Sequence, residues 1–435
     1  RQHWQRHDIV KRNVSCERTR ADVRVERIRR LHPADAELVD ERQRAVTILD
    51  GGILPYEIRD QSADVHFERC DDTLVEFGKL LTRRATLTET VGVAGTIRVY
   101  VMWRSCQNRD CMSNATATHY DAIIIGAGVI GGAVAFELAR RGHRTLSLDK
   151  GPAPGYGSTS ASSAVMRFSY STETGVAAAW DGMHYWKHWA DYLGAPDENG
   201  YARLIQCGMA LLIEGEEGHH NRVMPIWDRL DVPYEYWTRD ELAARAPFFD
   251  LNLYGPPARS DDPDFWSEAH GEMVGALFSP DAGYVDDPQL AAHNLMRATE
   301  AQGGDFCFRT EVVGIAQQNG RTTGVELDDG SSVRAPVVIN VGGPHSSHIN
   351  QLAGVYDSMN IKTASIRHET YHVPGPKEVD FTAVGFAVAD DDSGIYFRPQ
   401  PGNNILVGTT DPPCDPKIPV GPDEDLGELS TDGWE

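Results

Sequence analysis

A glycine-rich turn between an apolar strand and a helix sets the strongest limit on the fold of this chain. The run Gly126-Ala127-Gly128-Val129-Ile130-Gly131 follows the apolar segment Asp121–Ile125 and opens a helical pattern over Val129–Arg141. Gly126 permits a tight turn, Gly128 lets the backbone approach a diphosphate, and Gly131 lets helix and strand pack closely. The helix N-terminus then offers N–H groups and a partial positive charge to phosphate. The pattern predicts a Rossmann-type dinucleotide-binding unit.

An acidic residue after the next strand supports that prediction. Thr145–Leu148 reads as a second strand, and Asp149 follows it directly. A carboxylate there can accept hydrogen bonds from the adenosine ribose hydroxyls, and it would repel the 2′-phosphate of NADP. Because NAD and FAD share this fingerprint, the turn and the acid leave the choice between them open.

Further motifs follow in a fixed order along the chain. They are Gly157–Ser163, Ala282–Pro288, Thr310–Val312, Val338–Gly343, Ile395–Pro399 and Ile405–Gly408. In type and order they resemble the FAD-dependent D-amino-acid-oxidase-like (DAO) flavoproteins, which include sarcosine oxidase, dimethylglycine dehydrogenase and glycine oxidase. The resemblance covers about residues 119–412. It implies an α/β protein in which a Rossmann-type FAD-binding domain carries an inserted, mainly antiparallel β substrate domain (α+β).

The resemblance also divides the chain. We expect residues 119–200 and 281–355 to form a discontinuous FAD-binding domain, and residues 201–280 and 356–435 to form the substrate domain. The family completes its Rossmann sheet with a final glycine-rich segment. That segment is not recognisable before Glu435, so we expect the C-terminal FAD segment to be missing from this chain.

The first 118 residues carry no motif and differ in charge from the rest. They hold 20 basic and 18 acidic residues, whereas the remainder holds 21 basic and 46 acidic residues. The net charge of the whole chain is −23. They form an N-terminal extension of unknown role: a poorly ordered segment, a small appended domain, or sequence outside the natural folded unit. A short strand is expected at Thr96–Trp103.

Charge, cysteines and the apolar run Ala122–Ala139 restrict partners and compartment. A chain this acidic is not expected to bind nucleic acid, because phosphate contacts need clustered Lys and Arg. The apolar run holds four glycines and Glu137, which favours a strand, turn and helix over a membrane span. Seven scattered cysteines, without the spacing of a disulfide framework or zinc site, favour a reducing, cytoplasmic compartment.

The resemblance implies the cofactor site. Val312 would contact adenine through its backbone, and Gly342 and Gly343 would pass close to the flavin. Residues 157–164 contain no histidine, so we expect FAD to bind without a covalent link. The cofactor-binding candidates are Gly126, Gly128, Gly131, Asp149, Lys150, Ser158, Thr159, Ser163, Val312, Gly342 and Gly343.

The resemblance likewise implies the chemistry. An amine or amino acid would pass a hydride from Cα to flavin N5, giving an imine that water hydrolyses, with oxygen or an electron-carrier protein as the final acceptor. A substrate carboxylate needs a cation, preferably a bidentate Arg. The catalytic candidates are Arg398, Tyr396, Arg167 and His368, with Arg367 and His345 as further possibilities. Tyr396 and Arg398 share one side of a strand.

Two other functions stay open from sequence. One is a flavin oxidoreductase acting on a hydroxy acid, and the other is a truncated, non-catalytic protein of DAO fold. Three local predictions also matter below: a single aromatic helix over Val176–Tyr192, a strand over Ala364–His372, and solvated acidic turns at Asp261–Asp262 and Asp390–Asp392.

Overall fold

The computed structural model describes residues 119–421 and residue 424. The expectations for residues 1–118, including the strand at Thr96–Trp103, lie outside the described residues. In chain order the strands are β1 (Ala122–Ile125), β2 (Thr145–Asp149), β3 (Val165–Met166), β4 (Leu204–Ile205), β5 (Met209–Ile213), β6 (Glu235–Thr238), β7 (Asn252–Leu253), β8 (Gly271–Glu272), β9 (Gly275–Ser279), β10 (Gly283–Val285), β11 (Asp305–Phe308), β12 (Val312–Gln318), β13 (Arg321–Leu327), β14 (Ser332–Arg334), β15 (Val337–Asn340), β16 (Thr370–Pro374), β17 (Ala387–Asp390), β18 (Ile395–Gln400) and β19 (Asn404–Thr409). The helices are α1 (Val129–Ala139), α2 (Glu173–Lys187), α3 (Trp189–Leu193), α4 (His220–Arg229), α5 (Arg239–Arg245), α6 (Pro288–Ala301), α7 (Ser346–Leu352) and α8 (Phe381–Val384).

A parallel sheet in the order β11-β2-β1-β15 carries the predicted glycine turn. Every residue of β1 is buried, as expected for a central parallel strand covered on both faces. One face packs on the antiparallel meander β12-β13-β14, where Ile123 and Leu146 share a core with Val325. The sheet also contacts α1, which packs against α6.

Local signals explain the edges of this unit. Asp287 caps α6 by accepting a hydrogen bond from the Leu290 N–H, and Pro288 takes the first helical position. Asn319 and Gly320 both adopt positive φ between β12 and β13, which matches the hairpin predicted at that dipeptide. Together with the parallel sheet, these elements form the Rossmann-type unit that the glycine pattern predicts.

A second, seven-stranded sheet has the order β16-β19-β18-β17-β5-β9-β6. Its neighbours are antiparallel except for the parallel pair β17 and β5. Its strands come from residues 209–279 and 370–409, on either side of β15 in sequence. Cores containing Trp227 and Trp237 cover it. The limits of the two domains along the chain stay a prediction.

The aromatic segment after residue 172 corrects one prediction. It forms two helices, α2 and α3, instead of one helix over Val176–Tyr192, and the break is at His188, with φ −120° and ψ 37°. Helix α2 begins early because the Thr172 side chain accepts a hydrogen bond from the Gly175 N–H. The strand predicted over Ala364–His372 is also wrong in extent: β16 begins only at Thr370.

The turn at Asp390–Asp392 differs from the predicted solvated turn. Asp392 is buried, and its carboxylate accepts hydrogen bonds of 2.8 Å from the N–H groups of Tyr254 and Gly255. It therefore anchors the loop after β7. None of the helices in the described part of the chain has the length and apolarity that crossing a bilayer needs.

Candidate active site

The glycine turn between β1 and α1 leaves no room for side chains. Gly126 has φ +110°, and a Cβ there would lie 2.9 Å from the carbonyl carbon of Val341 and closer still to its oxygen. A Cβ on Gly131 would meet the Gly126 carbonyl in the same way. These two glycines therefore let β1, α1 and the end of β15 meet.

The start of α1 has the form of a diphosphate cradle. Gly128 is the N-cap residue and has no side chain with which to cap the helix. The Val129 N–H donates to Thr159 Oγ1 at 3.1 Å, so the loop carrying Ser158 and Thr159 lies against the helix mouth. N–H groups of a first helical turn have no partner within the helix, which is what a diphosphate requires.

Asp149 lies at the end of β2 with its carboxylate held in place. One carboxylate oxygen accepts from the Ala127 N–H and the other from the Gly151 N–H, each at 2.7 Å. A carboxylate has about four acceptor sites, so capacity for ribose hydroxyls remains. Adjacent Lys150 lies 4.0 Å from Glu311.

The remaining cofactor candidates surround this region. Val312 is buried at the start of β12, just beyond Thr310, whose N–H donates to the Asp149 carbonyl at 3.0 Å. Gly342 and Gly343 follow β15, and the Gly342 N–H donates to Asn340 Oδ1 at 3.1 Å. The residues present thus fit an FAD whose diphosphate lies at α1 and whose ribose lies at Asp149.

A cavity of about 900 Å³ lies between the loop 162–167 and the seven-stranded sheet. Its wall includes Ser163, Arg167, Tyr396 and His368. The structure therefore brings three of the four catalytic candidates to one cavity, beside one of the loop residues predicted to hold the cofactor. Arg398 does not line it.

Arg167 is a half-buried cation of the cavity wall. Its NH1 group donates to the carbonyl oxygen and hydroxyl of Ser169 at 3.0 and 3.3 Å, and its guanidinium stacks over Tyr170. Within residues 119–421 it forms no ion pair with a carboxylate. Its charge and remaining N–H groups are thus available to an anionic ligand.

Arg398 and Tyr396 clamp Ser163, the last residue of the motif Gly157–Ser163. Arg398 Nε donates to the Ser163 carbonyl at 2.6 Å, and the Tyr396 hydroxyl donates to Ser163 Oγ at 3.0 Å. Arg398 is 2% exposed, stacks over Tyr284, and donates from NH1 to Gln400 Oε1. Burial lowers the pKa of its guanidinium, which has no carboxylate partner in the described residues.

Replacing Arg398 by Met tests this clamp. It leaves the carbonyls of Ser163 and Pro399 and the Gln400 oxygen without their donor, and an orphaned acceptor costs about 1–3 kcal/mol where it is buried, as that of Pro399 is. We expect the free energy of unfolding to fall by about 2–4 kcal/mol. We also expect FAD affinity to fall about tenfold because Ser163 is released.

Denaturant unfolding and FAD titration measure both effects of that substitution. Tyr396→Phe removes only the hydrogen bond to Ser163 Oγ. It should cost at most about 1 kcal/mol in stability. An Arg398→Met protein with unchanged FAD affinity would show that the clamp does not position the loop.

Other polar groups of the cavity were not foreseen. They include Glu214, Glu217, His219, Asp391 and Asp411. The first three belong to a charged loop that directly follows the buried strand β5, a signal that the sequence does contain. Burial, followed by the neighbouring Asp392 and Asp391, raises the pKa of Glu214. Asp411 is paired with Lys417.

The other histidine and arginine candidates have local partners. His368 Nε2 lies 3.9 Å from Asp411 Oδ1, and Arg367 Nε donates to Glu369 at 2.7 Å. His345 ends a short helical turn after Gly343. In the described part of the chain, no group of three or more His, Cys, Asp or Glu residues is placed to hold a metal.

An α/β unit that offers a helix start with a glycine N-cap to a diphosphate, next to a β-walled cavity, defines the class of dinucleotide-binding α/β proteins. The family model described as FAD dependent oxidoreductase (DAO) matches residues 121–432. The chain belongs to this family, which confirms the predicted fold class, and FAD is its cofactor.

Individual relatives agree with that assignment. The chain is 28% identical over 305 residues to glycine oxidase from Geobacillus kaustophilus, covering 68% of this chain and 71% of that protein. It is 25% identical over 239 residues to sarcosine oxidase subunit beta from Rhodobacter capsulatus, covering 54% and 52%. L-proline dehydrogenase from P. horikoshii, at 21% identity, shares the fold with a TM-score of 0.57 over 72% of this chain and 73% of its own.

Proposed function

We propose that this FAD-dependent oxidoreductase oxidises a small amine or amino acid of the sarcosine or dimethylglycine type. The observation that carries the proposal is the cavity in which Arg167, with no carboxylate partner in the described residues, shares a wall with acidic side chains. A zwitterion needs one cation for its carboxylate and negative potential for its ammonium group. The names of two relatives, glycine oxidase and sarcosine oxidase subunit beta, support the same substrate class.

The residues of this chain divide between cofactor and substrate. The turn at Gly126–Gly131 and the start of α1 would hold the diphosphate, and Asp149 would hold the ribose. Ser163, fixed by Arg398 and Tyr396, would border the flavin. Arg167 would bind the substrate carboxylate. When bound, FAD supplies the acceptor for two electrons at N5.

The atoms and electrons of the reaction balance when these residues and FAD take part. The substrate loses its Cα hydrogen together with the bonding electron pair, and the nitrogen lone pair forms the C=N bond. Water then adds to the imine, giving a carbonyl product and a free amine. The protein contributes orientation at Arg167. Oxygen or a carrier protein as final acceptor, and a cytoplasmic location, stay predictions.

A hydroxy acid is the competing substrate class. It would satisfy Arg167 equally well but brings no cation to Glu214, Glu217 and Asp391, which form no ion pair within residues 119–421. Uncompensated carboxylates facing an anionic substrate disfavour its binding. The cavity charges therefore favour an amine.

Product analysis with matched substrate pairs tests the proposal. The FAD-loaded protein is supplied with a dye acceptor and either sarcosine, glycine, dimethylglycine and proline, or glycolate and lactate. We expect an aldehyde or keto product from the first group, with amine released from its acyclic members, and kcat/KM at least tenfold above the second. Faster oxidation of glycolate or lactate would reject the amine assignment.

A further inference from the structure

His219 lies beside Arg167, and the reaction described above gives His219 no role. The Ser169 carbonyl oxygen accepts from Arg167 NH1 at 3.0 Å, and His219 Nε2 lies 3.1 Å from the same oxygen. Two side chains that share one acceptor atom are neighbours. Both also line the cavity, His219 from the residue that precedes α4.

The hydrogen bond to Ser169 determines which ring nitrogen is basic. A carbonyl oxygen only accepts, so Nε2 must carry the hydrogen. In the neutral ring Nδ1 then holds the lone pair. Nδ1 has no hydrogen-bond partner in the part of the chain that the structure describes. The contact thus orients a ring whose second nitrogen can take a proton.

Amine oxidation needs such a proton acceptor. Aliphatic amines are largely protonated at neutral pH, and an ammonium nitrogen has no lone pair with which to form C=N. In an amino acid the amino and carboxylate groups are attached to the same carbon. A base adjacent to Arg167 is therefore placed to reach the ammonium group.

The other titratable groups of the cavity are less suited to this step. They are Glu214, Glu217, His220, His368, Asp391, Tyr396 and Asp411. Asp411 is paired with Lys417, and His368 Nε2 lies 3.9 Å from the same carboxylate. Within residues 119–421 the remaining groups form neither a hydrogen bond nor an ion pair with Arg167 or Ser169.

We propose that His219 accepts the substrate's ammonium proton through Nδ1. The N–H bond breaks, the proton passes to the imidazole, and the electron pair stays on nitrogen for the later C=N bond. The proton then leaves to solvent, because His219 is exposed. This assignment rests on the proposed function.

The substitution His219→Gln removes the base and keeps a hydrogen-bond donor for Ser169. The Gln amide can still donate to Ser169, but its oxygen is not basic. We measure kcat/KM for sarcosine across pH, together with the FAD dissociation constant. At neutral pH we expect kcat/KM to fall about 100-fold, within the range for general bases, with FAD affinity unchanged.

The pH profile distinguishes a base from a structural residue. Wild-type kcat/KM should depend less steeply on pH than that of the variant, because the wild-type protein supplies its own proton acceptor. The variant should approach the wild type at alkaline pH, where the free amine already exists in solution. A deficit of equal size at every pH, or no deficit, would overturn the assignment. His219→Asn should repeat the result, and His143→Gln, on the exposed turn after α1, should match wild type.

Measurements on the wild-type protein and on His219→Gln separate the base assignment from the proposed function. If wild-type protein oxidises sarcosine but His219→Gln shows no pH-dependent deficit, only the base assignment fails. If wild-type protein oxidises no amine at any pH, the proposed function fails, and the base assignment with it.

Discussion

Protein carrying Gly131→Ala is expected to lose FAD. A Cβ at this position would lie 2.9 Å from the carbonyl carbon of Gly126 and closer to its oxygen, both of which are backbone atoms. Relief requires α1 to move away from β1, which removes the N–H groups that face the diphosphate. We expect the FAD dissociation constant to rise about 100-fold or more, which corresponds to about 3 kcal/mol. Flavin absorbance after purification and FAD titration measure it.

Gly182→Ala is the matched control for that substitution. Gly182 lies inside α2, and a Cβ there meets nothing within 4 Å. Alanine should stabilise this helix by about 0.5–1 kcal/mol and leave FAD binding unchanged. If Gly131→Ala binds FAD as tightly as Gly182→Ala, the helix start is not the diphosphate site.

Replacing Arg167 by Met is expected to remove recognition of the substrate carboxylate. The variant loses a cation able to make charge-assisted hydrogen bonds of about 1.5–3 kcal/mol each. We expect KM for sarcosine to rise about 100-fold with a smaller change in kcat. A simple amine without a carboxylate should be oxidised equally by both proteins. Steady-state kinetics with the two substrates measure the difference.

Two companion variants make that result specific. Arg167→Lys keeps the charge but loses the planar fork, so its KM should lie between those of wild type and Arg167→Met. Arg203→Met removes an exposed arginine paired with Asp286 and should leave kinetics unchanged. An equal loss for the substrate and the carboxylate-free amine would assign Arg167 a structural role.

Local patterns account for what could be foreseen from sequence. The turn at Gly126–Gly131, the acid at Asp149 and the cap at Asp287 each depend on residues a few positions apart and on backbone sterics. The structure has the turn and the cap in their expected forms. The ordered motifs added the fold class and FAD, both confirmed by the family match.

Contacts between distant segments account for what could not be foreseen. Glu214 and Asp391 face one cavity because β5 pairs in parallel with β17, about 180 residues later. Alternation along β18 predicts that Tyr396 and Arg398 share a side, and both indeed contact Ser163. Which of the two side chains lines the cavity depends on how residues 157–163 pack on β18. Sequence spacing carries no information on this packing.

Anaerobic titration of the FAD-loaded protein with sarcosine tests the central claim most directly. If α1 holds FAD and the cavity delivers an amino acid to it, the long-wavelength flavin absorption should bleach, and glycolate at the same concentration should bleach it far more slowly. A protein that binds FAD but keeps its full flavin spectrum with sarcosine, glycine, dimethylglycine and proline would contradict the assignment.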